Sequence, residues 1–386
     1  MKSKKVVKVV FKSVGIFVAL IIVSAILLPV IFKKQIVEAV KTEINKSVNA
    51  KVDFADYHLS LFRNFPDFTL SLDKLTIAGI EAFEGDTLAA VDKLRVSVGL
   101  FSVIKGEQYK INSILLNSPR VHLIVQKGGK ANWDIMKPSA DTTAAEPEEP
   151  STFRLAIDKF TITNGIIIYD DEEANMHAKA ISLNHTLKGD LTVDFTSLET
   201  ETSVDTLSFS YGGISYLKKA SFELLADLDA DLKNTKFTFK ENELRLNNLF
   251  LGFDGWVAMP DENIDMDIKF NTRKTDFSNI LSLIPAVYMK DFDKIETKGS
   301  LALDGFAKGT YSERSIPAFA LNLLVENAMF KYPDLPKSVT NINLNVKASN
   351  KDGKMDHTVI DVKKLHFEMG SNLVDIVMHV ITPVSD

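Results

Sequence analysis

The sequence predicts a mainly β protein in which one N-terminal transmembrane helix precedes a long, largely antiparallel β-sheet with few short helices. Three observations predict this fold class. An uncharged apolar run lies near the N-terminus, apolar residues beyond residue 50 recur with a period of two, and no helical pattern longer than about four turns follows that point. Alternating apolar and polar side chains are typical of strands with one wet face, which form antiparallel sheets.

The apolar run covers residues 13–32, which matches the roughly 20 helical residues needed to cross a bilayer. Five lysines and no acid precede it in residues 1–12, whereas only Lys33 and Lys34 follow at once. The positive-inside rule therefore places residues 1–12 in the cytoplasm and the rest of the chain beyond the membrane. A cleaved signal peptide is the alternative, but its apolar core has only about 7 to 15 residues and ends at a small-residue site, unlike residues 27–32.

Four further segments follow the membrane helix. Residues 33–48 carry apolar residues at helical spacing, which predicts an amphipathic helix, either packed on the first strands or acting as a stalk. Residues 50–136 and 151–386 form two β-rich parts. Residues 137–150 lie between them and contain three prolines and four acids, which predicts a solvated loop or linker.

Alternation indicates where the strands lie. The clearest cases are residues 94–100 and 264–270, where apolar side chains alternate with charged or small ones. Further predicted strands cover residues 69–77, 113–125, 153–169, 180–188, 226–233, 236–253, 299–307 and 318–330, and the last strand ends near Val380. Residues 277–289 interrupt the pattern with an apolar run that contains Pro285, which predicts a short helix packed over the sheet or a mobile lid.

A short pattern of apolar, Asp, Lys, apolar, polar, apolar recurs in the predicted strands. It occurs in residues 72–77, 91–96 and 157–162, with looser copies in residues 246–251 and 362–367. Its extra polar residue shifts the alternation by one position without a glycine turn, which favours a β-bulge over a tight hairpin. The copies are either bulges of one long coiled sheet or independent edge features of an ordinary sandwich.

The sequence shows no catalytic, metal or cofactor motif. It has no cysteine, its seven histidines lack metal-ligand spacing, and it contains neither a nucleophile elbow nor a phosphate-binding glycine loop. Asp227, Asp229 and Asp231 alternate with apolar residues and lack the later ligands of a calcium loop, so they predict the wet face of a strand. The acids of residues 170–173 predict a turn, with a weak surface cation site as the alternative.

These absences, with a net charge of −6, make an enzyme or a nucleic-acid-binding protein unexpected. We therefore expect no enzymatic activity, no cofactor and no nucleic-acid partner.

Several segments resemble the AsmA family, in the form found in Bacteroidetes. They are the N-terminal apolar run and residues 49–54, 59–66, 129–135 and 251–257, so the similarity extends from the anchor to about residue 310. The resemblance implies an inner-membrane anchor, a periplasmic body and a long curled sheet that forms a hydrophobic groove. Members are often longer, so the chain is either a short member or an N-terminal portion whose groove continues beyond the chain end.

The resemblance also implies a function in moving phospholipid to the outer membrane and in the homeostasis of that membrane. A non-enzymatic envelope scaffold or outer-membrane protein assembly factor is the alternative. Phospholipid and the inner membrane are the implied partners, with outer-membrane or periplasmic proteins as further candidates. Alternation assigns the groove lining to Leu94, Val96, Val98, Phe160, Ile162, Leu249, Leu251, Ile264 and Ile268.

Overall fold

The computed structural model describes residues 33–64, 67–99, 110–137, 156–190, 194–261, 263–272, 275–281, 295–312, 315–332 and 336–383. The predicted cytoplasmic tail, the predicted transmembrane helix and residues 138–150 of the predicted linker lie outside these ranges. Within them, no helix has the length and apolar character required to cross a membrane.

The described residues contain two α-helices, α1 (Lys33–Ser47) and α2 (Phe277–Leu281), and two 3₁₀ turns, Glu81–Phe83 and Met355–His357. The strands of the first half are β1 (Lys51–Asp53), β2 (Asp56–Asn64), β3 (Asp67–Ala78), β4 (Thr87–Gly99), β5 (Lys110–Asn117), β6 (Arg120–Val125), β7 (Ala156–Ile157), β8 (Lys159–Asp171), β9 (Met176–Lys188) and β10 (Phe195–Tyr211). Those of the second half are β11 (Ile214–Asp231), β12 (Lys236–Leu246), β13 (Leu249–Ala258), β14 (Ile264–Asn271), β15 (Thr275–Asp276), β16 (Glu296–Tyr311), β17 (Ala318–Lys331), β18 (Val339–Asn350), β19 (Val359–Met369) and β20 (Asn372–Ile381).

All twenty of these strands belong to one sheet, so the sandwich alternative is wrong for the described chain. β1 and β2 together pair with β3, and from there most neighbours in sequence are antiparallel neighbours in the sheet, ending with β19 and β20. β5 and β6 depart from this order, because both run parallel to β8. Parallel neighbours need a connection that returns to the same end of the sheet. In sequence, this connection follows β6 and precedes β7.

Bulges interrupt the ladder where the recurring pattern predicts them in two of its copies. Lys74 adopts a left-handed φ of 56°, and its ammonium lies 2.7 Å from the carboxylate of Asp92 in the second copy on the neighbouring strand. A register shift also separates Val362 from Leu365 in β19. Such residues skip one step of the alternation, which lets Leu72 and Leu75 project to the same face although they are three positions apart.

The bulge prediction is wrong for residues 246–251, and so is the single strand predicted over residues 236–253. Leu246 pairs directly with Leu249, so Asn247 and Asn248 form the two-residue turn of the hairpin between β12 and β13. Asn247 takes a φ of 52°, a conformation that asparagine tolerates better than other non-glycine residues. The copy in residues 157–162 corresponds to the break between β7 and β8.

The alternation of apolar and polar residues does not predict β10. In this strand Thr200 pairs with Leu187 of β9 and Thr202 with Leu224 of β11, so threonine takes positions on the apolar side and hydropathy does not alternate clearly. Threonine is β-branched and favours strands despite its polarity. Propensity therefore indicates this strand where hydropathy does not.

Asparagine side chains bind the free backbone edges near α1. The amide of Asn45 in α1 makes two hydrogen bonds with the backbone of Val52, at 2.7 and 2.8 Å. Buried Asn132 does the same for β6, accepting from the N–H of Ile124 at 3.0 Å and donating to the carbonyl of His122 at 2.8 Å. These contacts satisfy backbone groups that would otherwise remain unpaired at an edge.

A cluster of buried apolar side chains lies under α2. Phe277 of α2 is buried together with Leu249, Leu301, Val325, Ala328 and Ile342. The short helix predicted in residues 277–289 therefore packs on the sheet over residues 277–281, while residues 282–289 lie outside the described ranges.

Candidate functional site

The register of the sheet shows which side chains share a face, because residues paired across neighbouring strands project to the same side. One row of paired residues crosses ten strands without interruption. In order from β2 to β13, it consists of Tyr57, Leu72, Leu94, Leu116, Ile162, His185, Thr202, Leu224, Leu244 and Leu251. We call the side of the sheet that carries this row the apolar face, and the opposite side the polar face.

A second row extends the apolar face toward β18. It contains Leu228, Phe239, Gly255, Ile268, Ala307, Phe319 and Asn350. Leu224 and Leu228 are an even number of residues apart on β11, with no left-handed residue between them, so both rows lie on the same side.

All nine predicted lining residues lie on the apolar face. Leu94, Ile162, Leu251 and Ile268 belong to the two rows, and the other five lie two or four positions from them along the same strands. Leu249 is set apart from the other eight, because it is buried in the cluster under α2. The other eight remain partly exposed.

This partial exposure distinguishes the apolar face from the core of a layered protein. A second layer would bury leucine and isoleucine side chains of this kind almost completely. Some side chains of this face are buried, such as Leu183, Leu198 and Val204, which are 5–8% exposed. Every leucine and isoleucine of the ten-strand row remains partly exposed, so the row forms a continuous apolar surface that is partly accessible.

Charged residues cover the polar face in cross-strand pairs. Asp267 of β14 lies 2.7 Å from Lys308 of β16, and Asp229 of β11 lies 2.7 Å from Lys240 of β12. The hydrogen bond from Lys240 holds the pKa of Asp229 below its usual value. Asp229 is therefore part of the wet face of a strand, as predicted for this acidic series.

The acids of residues 170–173 begin a turn, as predicted. The carboxylate of Asp171 accepts a hydrogen bond from the N–H of Ala174 at 2.8 Å, which closes the turn between β8 and β9. Burial would raise the pKa of Asp170, but hydrogen bonds from His177 and His122 outweigh burial and lower it. Across the described chain, no three acidic or histidine side chains converge as they would around a metal ion.

Six of the seven histidines pair with an aspartate. The pairs are His58 with Asp73, His122 and His177 with Asp170, His357 with Asp352, His366 with Asp375, and His379 with Asp361. His185 is different, since it lies in the middle of the apolar row. Its Nδ1 is 2.8 Å from the hydroxyl of Thr202, and its ring centroid is 6.0 Å from that of Phe160.

Burial lowers the pKa of His185 below its ordinary value of 6.5. The folded protein therefore binds fewer protons at this site than the unfolded chain does, so the contribution of His185 to stability is complete above pH 6.5 and is lost as the pH falls through the folded-state value. When the pH is lowered from about 7 to about 5, we expect the melting temperature of His185→Leu to fall less than that of the wild type. Melting curves at both pH values test this.

The control for that measurement is Thr196→Val, which changes a hydroxyl on the same face and keeps the imidazole. It should remain as sensitive to acid as the wild type. Equal acid sensitivity of His185→Leu and the wild type would contradict the expectation.

His185 and Thr202 are two residues of this face that the sequence pattern does not predict. Hydropathy alone excludes a histidine and a threonine from an apolar lining. Position in the strand does indicate the face of His185, because it lies two residues from both Leu183 and Leu187 in the alternation of β9.

One of three comparisons with known proteins identifies a family for this chain. The family model described as the AsmA family matches residues 1–271, which is more than half of the chain. The chain belongs to the AsmA family. No curated protein and no solved structure is similar enough to the chain to count as a match. In this AsmA-family chain the match includes both the N-terminal apolar run and the strands from β1 to β14, and therefore the whole ten-strand row.

Proposed function

We propose that this AsmA-family protein binds phospholipid acyl chains along its apolar face and takes part in lipid transport to, and homeostasis of, the outer membrane. In this proposal the apolar face curls into a groove, and the protein acts without catalysis. The lysine-rich N-terminus and the apolar run of residues 13–32 support a single inner-membrane anchor with a cytoplasmic N-terminus and a periplasmic body.

The observation that carries the proposal is the continuity of the apolar face combined with its exposure. Strands lie about 4.8 Å apart, so the ten-strand row from Tyr57 to Leu251 follows a contour of roughly 40 Å across the sheet. Its leucine and isoleucine side chains are only partly buried. Soluble monomers rarely expose an apolar surface of this extent unless it binds something.

Energetics favour such a surface as a path for lipid. Two acyl chains contain about 30 methylene groups, and exposing each to water costs about 0.8 kcal/mol, which gives a barrier of roughly 24 kcal/mol. Contact with leucine, isoleucine and valine side chains removes much of this cost. The head group would stay in water at the open side of the groove, so transport needs no charged residue on the apolar face.

Bulges support the curl that a groove requires. Asn164 and Ser182 on β8 and β9, like Asn327 and Asn341 on β17 and β18, take left-handed φ angles between 48° and 58°. In each pair of strands an asparagine side chain, Asn184 or Asn343, accepts from the backbone N–H at the opposite bulge. Bulges increase the local twist of a sheet, and a sheet that twists along its length coils.

A non-enzymatic envelope scaffold or outer-membrane protein assembly factor is the second candidate function. The closed cluster under α2 favours it, since Phe277 and Leu301 fill the apolar face there with side chains. A scaffold requires rigid packing of this kind and no lipid path.

Site-specific photo-crosslinking in cells with radiolabelled phospholipid separates the two functions. A photoreactive residue is placed in the full chain at Val96, Ile162 or Leu251 on the apolar face, and at Asp265 or Asp267 on the polar face as matched controls. We expect lipid labelling at least several-fold stronger at the three apolar-face positions, because acyl chains contact only that side. Equal labelling on both faces would reject the lipid-binding function and leave the scaffold.

A further inference from the structure

The ten-strand apolar row has a polar centre. Between Tyr57 at one end and Leu251 at the other, eight residues cross the sheet, and only two neighbours among them, His185 and Thr202, are polar. Thr200 adds another hydroxyl two positions from Thr202 on the same face of β10. An acyl chain lying along this row would meet hydrogen-bonding groups at one place.

His185 and Thr202 do not form an ion pair, whereas each of the other six histidines lies beside an aspartate. The residues that flank them in the row, Ile162 and Leu224, are apolar. The apolar-face neighbours two positions along β10, Thr200 and Val204, carry no charge either. A polar pair in such surroundings costs free energy unless its hydrogen-bonding capacity is used.

The pair leaves one hydrogen-bond donor free in either arrangement of its protons. If Nδ1 of the neutral imidazole donates to the Thr202 oxygen, then the threonine O–H can donate to a ligand. If the threonine donates to Nδ1, the proton of the ring is on Nε2, which can donate in its place. The site therefore offers a neutral donor in either case.

We propose that His185 and Thr202 form a polar contact site for the ester carbonyl of a glycerolipid bound on the apolar face. This inference rests on the proposed function and specifies where along the groove the ester linkage of the lipid binds. The carbonyl oxygen is a neutral acceptor at the start of each acyl chain, so it can contact the same face of the sheet as the chains do.

The surroundings favour an ester carbonyl over the lipid phosphate. A phosphate buried here would need a cation or several donors. The nearest apolar-face residues on the flanking strands β8 and β11, Ile162 and Leu224, and those on β10 itself, Thr200 and Val204, supply no positive charge. The site therefore binds the ester linkage of the lipid and does not distinguish between head groups.

The test compares two phosphatidylcholines of equal chain length, one with ester-linked and one with ether-linked chains. A photoreactive residue replaces Leu224, the row neighbour of Thr202, or Ile268 as a distant position on the same face. The full chain, reconstituted in vesicles that contain both lipids in equal amounts, is irradiated, and mass spectrometry gives the ratio of the crosslinked lipids. We expect an ester-to-ether ratio of about three to ten at Leu224, the effect of one hydrogen bond, and about one at Ile268.

Variants assign the preference to the pair. His185→Leu combined with Thr202→Val should bring the ratio at Leu224 to about one, whereas Thr202→Ser and Thr196→Val should keep the preference. A ratio of one at Leu224 in the otherwise unchanged protein overturns this inference alone. Absence of crosslinks to either lipid at both positions overturns the proposed function as well.

Discussion

We expect Gly255→Ala to lower the free energy of unfolding by about 3 kcal/mol or more, the largest effect of any single methyl group added to this sheet. Gly255 of β13 has a φ of 122°, which side chains rarely adopt. A Cβ atom there would lie 1.9 Å from the backbone oxygen of Asp267 and 2.9 Å from the Cα of Ile268. Because both atoms belong to the backbone of β14, the two strands would have to separate.

Gly252→Ala is the matched control in the same strand. Its Cβ would lie 3.8 Å from the nearest atoms, which is ordinary contact, and its φ is not in the left-handed region. Thermal or urea unfolding followed by circular dichroism measures both variants. Equal stability of the two would show that β13 and β14 approach less closely than the register indicates.

Leu116→Asp should interrupt the apolar row and lower lipid labelling beyond it at least about tenfold, since a carboxylate beside acyl chains must be desolvated or protonated at a cost of several kcal/mol. Leu116 of β5 lies in the row between Leu94 and Ile162. Photo-crosslinking at Leu251, on the far side of the substitution from β2 and the proposed N-terminal anchor, should fall. Crosslinking at Leu72, on the near side, should persist.

The adjacent Leu115→Asp is the matched control. Leu115 projects to the polar face, where it pairs with Arg95 of β4, so the new carboxylate would be solvated and beside a cation. Lipid labelling at Leu251 should stay at the level of the unchanged protein. A similar loss in both variants would point to a general folding defect, and no loss in either would contradict a continuous lipid path.

Local pattern was sufficient to predict the face on which a side chain lies. Alternation in residues 94–98 and 264–268 placed those apolar residues on one side of their strands, since the pleat of a strand has a period of two. The recurring Asp-Lys pattern also predicted interruptions of the ladder at Lys74 and in β19, because in a regular strand one of two consecutive polar residues would face the apolar side.

Local pattern does not distinguish two structures that share the same sequence of apolar and polar residues. Two polar residues between apolar runs fit a bulge and also a two-residue hairpin, and the hairpin at Asn247 depends on β13 pairing with β12. β10 was missed because its threonines face the apolar side, so hydropathy and burial disagree along that strand.

The sequence by itself determined the mainly β fold class and the two-faced character of the strands, because both depend on spacing along the chain, and its motifs indicated the AsmA family. Only the tertiary structure decided that β5 and β6 lie parallel to β8, that α2 closes one part of the apolar face, and that His185 meets Thr202. These contacts join residues whose separation in the chain carries no information about their distance in space, so they follow from strand pairing and not from local pattern.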